Sequence, residues 1–321
     1  MVNYFHNKVI VVTGGSGYIG SSLIRALLGR PKKIIRVSRK AQDFENDIVD
    51  WQLDLSIKDS WLKIVSEADV IFHLSGNTSI YKAEENTQYS YLSTVMPIKL
   101  LIESARQLSK KPRVIFASTA TVYGLIKKTP VSESFKTMPI TTYDSHKLEA
   151  ENALTIASKK NIINASSLRL SNVYGPSLSE ALESDRGILS RVVKMALLGS
   201  PIKIYGDGNF VRDYIFIEDV IEAMIELSII EAQKEIYNVA TGIGSTVKVV
   251  FKLIANEIER QTGRKVDIQN IDWPKGSHRI ETRNFTASIE LIISNTNWRP
   301  KTSLENGIKL LIKHYIDERA S

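Results

Sequence analysis

Apolar and polar positions follow two different patterns along the first half of the chain. Short runs of consecutive apolar residues, such as KVIVVT at 8–13, are typical of strands that are buried on both faces of a sheet. A strand is predicted at 8–13, and further strands are predicted at 33–38, 47–53, 69–74, 113–118 and 164–170. Amphipathic stretches at 18–30, 56–68 and about 84–108 predict helices between them. Because parallel neighbours need a crossover, this alternation predicts an α/β fold with a doubly wound parallel sheet.

The pattern changes after residue 171, where loops lengthen and the predicted strands and helices become short. We therefore expect residues 1–170 to form the sheet-based domain and residues 171–321 to form mainly a smaller second region. A segment at about 210–240 has the composition of a return to the sheet. The chain shows no internal repeat, linker or low-complexity segment.

A glycine-rich loop, TGGSGYIG, joins the first predicted strand to the first predicted helix. Gly14, Gly17 and Gly20 give the spacing G-x-x-G-x-x-G, which is weak by itself but here stands between a buried strand and a helix. Glycines at these places allow a tight turn and let backbone N–H groups approach a pyrophosphate at the helix N-terminus. The loop predicts a dinucleotide cofactor.

The end of the second strand indicates which dinucleotide binds. An acidic residue there would hold the adenosine ribose of NAD, but this chain has Ser38, Arg39 and Lys40. A hydroxyl and a guanidinium suit a 2′-phosphate, so NADP is favoured. The alternative is that Arg39 and Lys40 point to solvent and NAD binds without the carboxylate. Asp54, after the third strand, is placed to accept a hydrogen bond from the adenine amino group.

The segment TTYDSHK at 141–147 places Tyr143 and Lys147 four positions apart at the start of a helical stretch. Residues at i and i+4 lie on one helix face, so the phenol and the ammonium can reach a common point. By itself this short pattern describes a surface pair. The rest of the chain changes that interpretation.

Several ordered motifs together resemble the extended short-chain dehydrogenase/reductase family. The resemblance rests on TGGSGYIG, FASTATVYG (116–124) and YDSHK, and it continues through LRLSNVYGP (168–176), YGDGNFVRDYIFIEDV (205–220), YNVATG (237–242) and NWRPKTSLENGI (297–308). It covers nearly the whole chain, and several motifs in order are far more specific than any one of them. The resemblance implies a Rossmann sheet, with residues 1–170 as the NAD(P)-binding domain, and a homodimer.

The resemblance also implies roles for individual residues. Tyr143 corresponds to the general acid/base, Lys147 to the lysine that holds the nicotinamide ribose, and Thr119 to the hydroxyl that bonds the reacting oxygen. Further cofactor contacts are implied for Tyr18, Ile19, Leu55, Leu74 and Ser75. Thr94 stands where the family usually has Asn.

Elementary electrostatics is compatible with an acid/base role for the tyrosine. Lowering a phenol pKa from about 10 to about 7 needs roughly 4 kcal/mol. One positive charge about 4 Å away supplies about that much at an effective dielectric constant near 20. We therefore expect Lys147, together with the cationic ring of the oxidised cofactor, to lower the pKa of Tyr143.

The segment GDGNFVRDY resembles the nucleotide-sugar branch of the family, in which the arginine corresponding to Arg212 binds a substrate diphosphate. Asn172 matches a residue that contacts the same nucleotide diphosphate. The alternative for Arg212 is an ordinary salt bridge with Asp213 or Glu218. A second phosphate contact from Arg279 or Arg283 is left open.

The residues that follow Thr119 narrow the reaction. Sugar 4,6-dehydratases have Asp-Glu there, and the related decarboxylases use a glutamate, whereas this chain has Ala120 and Thr121. The resemblance therefore favours an NDP-hexose 4-epimerase that passes through a 4-keto sugar. The alternative is an NADPH-dependent 4-keto-sugar reductase, which Ser38 and Arg39 favour. A catalytically silent NADP-binding sensor is a remote alternative, since such proteins usually lose the tyrosine or the lysine.

Composition excludes other classes of function. The net charge is +7, but the basic residues come in short pairs with acidic residues between them, which argues against nucleic-acid binding. The absence of cysteine excludes disulfides and thiol chemistry, and the five histidines show no metal-ligand spacing. No apolar run is long enough for a membrane span, and the first strand begins within ten residues of the N-terminus. We therefore predict no membrane contact, no signal peptide and a cytoplasmic protein.

Overall fold

The computed structural model describes residues 2–39, 48–177, 187–230 and 235–320. The strands are β1 (Val9–Thr13), β2 (Lys33–Ser38), β3 (Ile48–Gln52), β4 (Val70–His73), β5 (Arg113–Thr119), β6 (Asn164–Leu170), β7 (Asn172–Tyr174), β8 (Ile202–Tyr205), β9 (Val211–Phe216), β10 (Ile236–Val239), β11 (Gly244–Thr246) and β12 (Ile268–Ile271). The α-helices are α1 (Val2–Phe5), α2 (Tyr18–Leu27), α3 (Lys58–Glu67), α4 (Ile80–Glu85), α5 (Thr87–Gln107), α6 (Thr142–Lys159), α7 (Gly187–Leu197), α8 (Ile217–Ile229), α9 (Val247–Thr262), α10 (Glu290–Asn295) and α11 (Leu304–Ala320).

The main sheet has seven parallel strands in the order β10-β6-β5-β4-β1-β2-β3. The chain builds the sheet outward from β1 to β3 and then crosses back to the other side of β1 with β4. The strand order therefore reverses between β1 and β4, the place where open α/β sheets form a crevice for ligands. The doubly wound parallel Rossmann fold expected from the sequence is confirmed.

Both faces of this sheet are covered, which explains why its strands are apolar without alternation. Along β1, Ile10 and Val12 pack in one hydrophobic cluster with residues of α2 and α8, while Val11 packs in another with residues of α3, α5 and α6. All three side chains have no exposed surface. Successive side chains of a strand point to opposite faces, so a strand between two helical layers needs an apolar residue at every position.

Two predicted elements differ from the structure in ways that have a local cause. The single helix expected at about 84–108 is divided into α4 and α5 at Asn86, whose side chain accepts a hydrogen bond from the Tyr89 N–H and caps the second helix. The helix expected at 18–30 ends at Leu27. Of the strand expected at 47–53, position 47 lies outside the described residues.

Beyond the main sheet, the chain forms a three-stranded sheet, β11-β9-β7, and a two-stranded sheet, β12-β8. A separate hydrophobic cluster lies here, with side chains from α7, α9 and α11 packed on these strands. α8 packs against the main sheet and β10 completes it beside β6. The division of the chain at 170/171 stays a prediction.

Across the described ranges, no helix combines the length and the apolar character that a bilayer crossing requires.

Candidate active site

The glycine turn lies at the carboxyl end of β1, where the strand order reverses. Gly14 has a φ of +68°, and a Cβ there would lie 2.8 Å from the Ser75 backbone nitrogen. A Cβ on Gly20 would lie 2.2 Å from the Gly14 carbonyl oxygen. These two positions therefore require glycine, because a side chain would overlap backbone atoms that cannot move away. Gly17 is the N-cap of α2 and provides no side-chain cap, so the first N–H groups of the helix face an open cradle.

The side chains of Tyr18 and Ile19, which follow Gly17, are directed into the protein. The Tyr18 phenol is buried and donates a hydrogen bond to the Gly175 carbonyl at 3.0 Å. Burial first, and then the charge of Glu218, raises the pKa of Tyr18. Ile19 is half-buried against the hydrophobic cluster under the sheet. A cofactor contact at these two positions therefore depends on their backbone.

One glycine of the loop was missed because it lies outside the G-x-x-G-x-x-G spacing. A Cβ on Gly15 would lie 2.5 Å from Cγ of Arg36 and 2.8 Å from Cδ1 of Ile24. Arg36 is buried, and its Nε donates to Asp50 at 2.9 Å. The pair of glycines in TGG is the sequence feature that could have identified Gly15.

The proposed adenosine end lies beyond β2 and β3. Ser38 is buried at the end of β2, whereas Arg39 is exposed and donates from Nη1 to the Tyr89 hydroxyl at 3.1 Å. Lys40 lies outside the described residues. Asp54 is exposed, and hydrogen bonds from the Ser56 N–H and hydroxyl lower its pKa. The charge of Arg39 contributes further to this shift, so Arg39 and Asp54 lie near one another.

Leu55 is half-buried, and its carbonyl accepts a hydrogen bond from the Trp61 indole at 2.8 Å. Its carbonyl therefore anchors the turn before α3. The predicted cofactor contact of Leu55 would therefore be made by its partly exposed side chain.

The loop after β4 crosses the glycine turn. The Leu74 N–H donates to the Thr13 carbonyl at 3.2 Å, and the Ser75 hydroxyl donates to the Thr13 hydroxyl at 3.1 Å. His73 Nδ1 lies 2.8 Å from the same Thr13 hydroxyl. Burial, and secondarily the charge of Lys147, lowers the pKa of His73 to about 3. His73 is therefore neutral, and it supports the glycine turn through its contact with Thr13. The sequence analysis did not predict this role.

Polar groups of α5 and α6 lie close to this loop. Thr94 is buried on α5, and its Oγ1 has no hydrogen-bond partner within the described part of the chain. A Cβ on Gly76 would lie 3.6 Å from that atom and 3.7 Å from Lys147 Nζ. An unpaired buried hydroxyl and an ammonium beside an open cradle fit the polar groups of a dinucleotide, so the residues present suit such a cofactor.

Thr119, Tyr143 and Lys147 come together at the carboxyl end of β5. Thr119 is the last residue of β5, and α6 begins at Thr142 with Thr141 as its N-cap. The Thr119 side chain lies close enough to the Tyr143 phenol to affect its pKa. Lys147 Nζ lies 6.0 Å from the centre of the Tyr143 ring and donates to the Ala117 carbonyl at 2.8 Å. The fold thus brings the three predicted side chains to one place.

The electrostatics of this trio corrects the sequence expectation. Burial first, and then the charge of Asp144, raises the pKa of Tyr143. Lys147 does not lower this pKa in the chain by itself: its ammonium donates to the Ala117 carbonyl and lies 6.0 Å from the centre of the Tyr143 ring. Burial also lowers the pKa of Lys147 to about 8. Hydrogen bonding by Thr119 opposes the rise at Tyr143, and Arg283 does so by its charge.

The two predicted substrate residues lie on neighbouring strands, β7 and β9. Asn172 is half-buried, and its side-chain amide donates to the Asp213 carbonyl at 3.1 Å. Arg212 is 7% exposed and uses both Nη atoms to hold the turn at 281–283, donating to the carbonyls of Glu281 and Arg283. The salt-bridge alternative with Asp213 fails, because that carboxylate accepts from other groups: the Thr241 hydroxyl and the N–H groups of Thr241, Gly242 and Ala287.

Arg283 is the guanidinium that links the two halves of the site. It is half-buried, and it interacts electrostatically with Arg212, Tyr143 and Asp144. Its proximity lowers the pKa of Arg212 to about 10, after the larger effect of burial. Arg279, by contrast, is exposed. The sequence analysis left a second phosphate contact open for both arginines. Of the two, Arg283 is the one that lies beside Arg212 and Tyr143.

No group of three or more potential metal-ligating side chains occurs among the residues that the structure describes.

Known proteins of similar sequence and fold are nucleotide-sugar enzymes. Over 95% of this chain and 97% of its own length, a UDP-glucose 4-epimerase of Mycolicibacterium smegmatis is 26% identical. A dTDP-4-dehydro-6-deoxyglucose reductase of Escherichia coli is 27% identical over 95% and 96%. The crystal structure of a Thermotoga maritima UDP-glucose 4-epimerase with UDP-glucose superimposes with a TM-score of 0.85, at 26% identity, over 97% of this chain and 99% of that one.

The match to a family extends over most of the chain. Residues 10–240 match the NAD dependent epimerase/dehydratase family, a span that contains the glycine turn, the Thr119–Tyr143–Lys147 trio and Arg212. The match therefore includes both the predicted cofactor cleft and the predicted catalytic residues. The chain belongs to the NAD dependent epimerase/dehydratase family and is an enzyme of the extended short-chain dehydrogenase/reductase type.

Proposed function

We propose that this protein is an NAD(P)-dependent 4-epimerase of an NDP-hexose. The observation that carries the proposal is the meeting of Thr119, Tyr143 and Lys147 beside the glycine cradle. In this reaction the sugar is oxidised at C4, turns in the site, and is reduced on its other face.

Each residue of the trio has a separate task. Tyr143 takes the proton from the C4 hydroxyl of the sugar and later returns it. Thr119 hydrogen-bonds the same sugar oxygen and keeps it in line with the phenol. Lys147 holds the nicotinamide ribose from its buried position beside Gly76 and Thr94, and the nicotinamide, when bound, accepts and returns the hydride.

Arg212, Arg283 and Asn172 form the proposed nucleotide-diphosphate end of the substrate site. Arg212 is nearly buried and its guanidinium lies beside Arg283, so two positive charges meet with no carboxylate accepting from Arg212 in the described hydrogen bonds. A diphosphate is the chemical group that such a pair favours. The relatives that act on UDP- and dTDP-sugars support this assignment.

We infer NADP rather than NAD as the preferred cofactor. Arg39 is an exposed guanidinium directly after β2, held toward the sheet by Tyr89, and Ser38 precedes it. A 2′-phosphate is the group that would distinguish the two cofactors at this place. NAD remains the alternative.

Ala120 and Thr121 support epimerisation over dehydration. They occupy the short 3₁₀ helix after β5, and both are buried. Neither side chain is an acid of suitable strength to protonate a leaving hydroxyl.

A second candidate is an NADPH-dependent reductase of an NDP-4-keto-sugar. It would use the trio once, in the reducing direction only. Arg39 favours it, because net reduction draws on NADPH, and so does the likeness to the reductase of Escherichia coli.

The two candidates are separated by incubating the purified protein with a panel of NDP-hexoses and NDP-4-keto-hexoses, with and without NADPH, and identifying products by NMR. An epimerase forms a C4 epimer without net consumption of cofactor. A reductase consumes one NADPH for each sugar reduced. If neither group of compounds reacts, both candidates are excluded.

A further inference from the structure

A buried carboxyl lies next to the proposed acid/base. Asp144 follows Tyr143 on α6, and its side chain has no exposed surface. One carboxylate oxygen, Oδ1, accepts a hydrogen bond from the Thr121 hydroxyl. The other, Oδ2, is buried without a hydrogen-bond partner among the described residues. A buried carboxyl that is only half satisfied is costly, and it needs a reason.

Two hydroxyl groups lie between this carboxyl and the phenol. Thr121 donates to Asp144, and the Thr119 and Thr121 hydroxyls lie 2.8 Å apart. Thr119 is also the side chain that opposes the rise of the Tyr143 pKa, which puts it beside the phenol. A threonine hydroxyl both donates and accepts, so each one can receive a proton on one side while it gives one up on the other.

α6 carries a second buried carboxyl, and its hydrogen-bond partners differ from those of Asp144. Glu151 also has no exposed surface, but it is paired with the Arg169 guanidinium at 2.7 Å and accepts from the Ser118 hydroxyl. Within the described part of the chain, no salt bridge of this kind is formed by Asp144. Glu151 thus belongs to a structural ion pair, whereas the carboxyl of Asp144 is bonded to a neutral hydroxyl.

The groups that face Asp144 come from three elements. Tyr143 and Thr141 belong to α6 or its cap, Thr121 belongs to the 3₁₀ helix, and Arg283 and His278 approach from the segment around 278–283. Burial raises the pKa of Asp144, while the two hydroxyls and the two basic groups oppose this rise. The net result is a pKa of Asp144 above the ordinary aspartate value.

We propose that Asp144 is a positioning residue that stores the proton of Tyr143 through Thr119 and Thr121. The inference rests on the proposed function, because it assigns Tyr143 as the base. With Asp144 ionised, the phenol and both threonine hydroxyls donate along the chain toward it. Each proton then moves one place: three O–H bonds break, three form on the neighbouring oxygens, and the negative charge passes from Asp144 to the phenol. The phenolate is then ready to accept the proton of the sugar, and nothing is oxidised or reduced.

This relay has a defined pH dependence. The reactive state holds one proton on the Tyr143–Asp144 pair, and that proton belongs to the pair rather than to either group. Acidification through the raised pKa of Asp144 fills both sites, so the rate of the wild-type enzyme falls. Without Asp144, the phenol must lose its proton to solvent, and its own raised pKa then sets the rate.

The kinetic test compares Asp144→Asn, Thr121→Val and Thr121→Ser with wild type across the pH range. Near neutral pH, we expect Asp144→Asn and Thr121→Val to slow turnover by about 100-fold, the lower end of the range for a proton-transfer group. Both rates should recover toward wild type as the pH rises. The double variant should be no slower than either single variant, since both interrupt one chain. Thr121→Ser keeps the hydroxyl and should keep the wild-type profile. A loss by the same factor at every pH would overturn the relay.

A second measurement does not need turnover. With aspartate carboxyl carbons labelled with ¹³C, the resonance missing from Asp144→Asn identifies Asp144 in the wild-type spectrum. Its pKa should lie above the ordinary aspartate value and rise further in Thr121→Val, which removes a hydrogen bond to the carboxylate. An ordinary pKa, or one that Thr121→Val leaves unchanged, would refute the relay even if the proposed epimerase is active. If no sugar reacts but the resonance behaves as expected, the proposed function fails and the hydroxyl chain stands.

Discussion

The two ends of the cleft are built in different ways. At the cofactor end, the glycine turn is one short stretch of chain whose backbone geometry requires glycines such as Gly14 and Gly20. At the substrate end, the site is assembled from distant segments: Arg212 holds the backbone of Arg283, which follows it by 71 residues. Local turns can be read from a sequence, whereas contacts between distant segments require the fold. A substitution at one end should therefore weaken the binding of one ligand, the dinucleotide or the NDP, and leave the binding of the other unchanged.

Tyr143 lies where the two ends meet, and its replacement should have the largest effect. Tyr143→Phe removes the proton-transferring hydroxyl and keeps the ring, so turnover should fall by about 10²–10⁴-fold. Binding of the dinucleotide and of NDP should both persist, as measured by calorimetry. Near-normal turnover of this variant would remove Tyr143 from the mechanism.

At the cofactor end, the sharpest substitution is Gly20→Ala. Its Cβ would lie 2.2 Å from the Gly14 carbonyl oxygen, so the turn must shift. Overpacking of about 3 kcal/mol would weaken dinucleotide binding by roughly 100-fold. NDP binding should be unchanged.

Gly29→Ala is the matched control for this substitution. Gly29 also has a positive φ, +71°, but a Cβ there meets no atom within 4 Å. Its replacement introduces backbone strain without an overlap, so it should reduce the free energy of unfolding and leave dinucleotide affinity intact. If the two alanine variants bind the cofactor equally, the glycine turn is not the cradle.

The sheet and the catalytic trio could be predicted from the sequence because their signals are local. The strands at 33–38 and 164–170 have the predicted bounds. The motif around Tyr143 and Lys147 predicted a shared helix face, and both residues lie on α6. The proposed division at 170/171, the homodimer and the cytoplasmic location stay predictions.

The electrostatics of the site could not be predicted in the same way. The sequence argument counted the charge of Lys147 but not the burial of Tyr143, which has the larger effect on the phenol pKa. It gave Asp144 no role, because the bond to Thr121 forms only when α6 packs on the end of β5. It chose Arg212 and left Arg283 open, and in the structure Arg283 is the guanidinium that interacts with Tyr143. The contacts of Asp144 with Thr121 and of Arg283 with Tyr143 join segments that are distant in sequence.

Cofactor choice tests the adenosine side of the cofactor end. Arg39→Ala should weaken NADP binding more than NAD binding, because only NADP carries the 2′-phosphate. A charge-assisted hydrogen bond contributes about 1.5–3 kcal/mol, so the ratio of the two dissociation constants should change by roughly 10- to 150-fold. Tyr89→Phe is the control, since it removes the hydrogen bond that Arg39 makes but keeps the charge. A wild-type enzyme that already prefers NAD, or equal losses for both cofactors, would contradict the assignment of Arg39.

The substrate end is tested by Arg212→Met and Arg283→Met, which keep much of the aliphatic stem and remove the charge. Each variant should weaken the binding of an NDP by about 2 kcal/mol, roughly 30-fold, as for a lost charged hydrogen bond. Because Arg212 donates to the Arg283 carbonyl, losing either one disturbs the other, and the double variant should lose less than the product of the two single effects. Dinucleotide affinity should hardly change, since the cradle is formed by the first half of the chain. Calorimetry with UDP, GDP, CDP and dTDP measures these effects, and Arg279→Met, at an exposed position, is the matched control.

If none of the four nucleotides binds wild type, or all bind the Arg212 and Arg283 variants as well as wild type, the nucleotide-sugar assignment fails. A parallel loss of cofactor binding would instead show that the two ends of the cleft are not independent, because the turn at 281–283 would then also support the cradle.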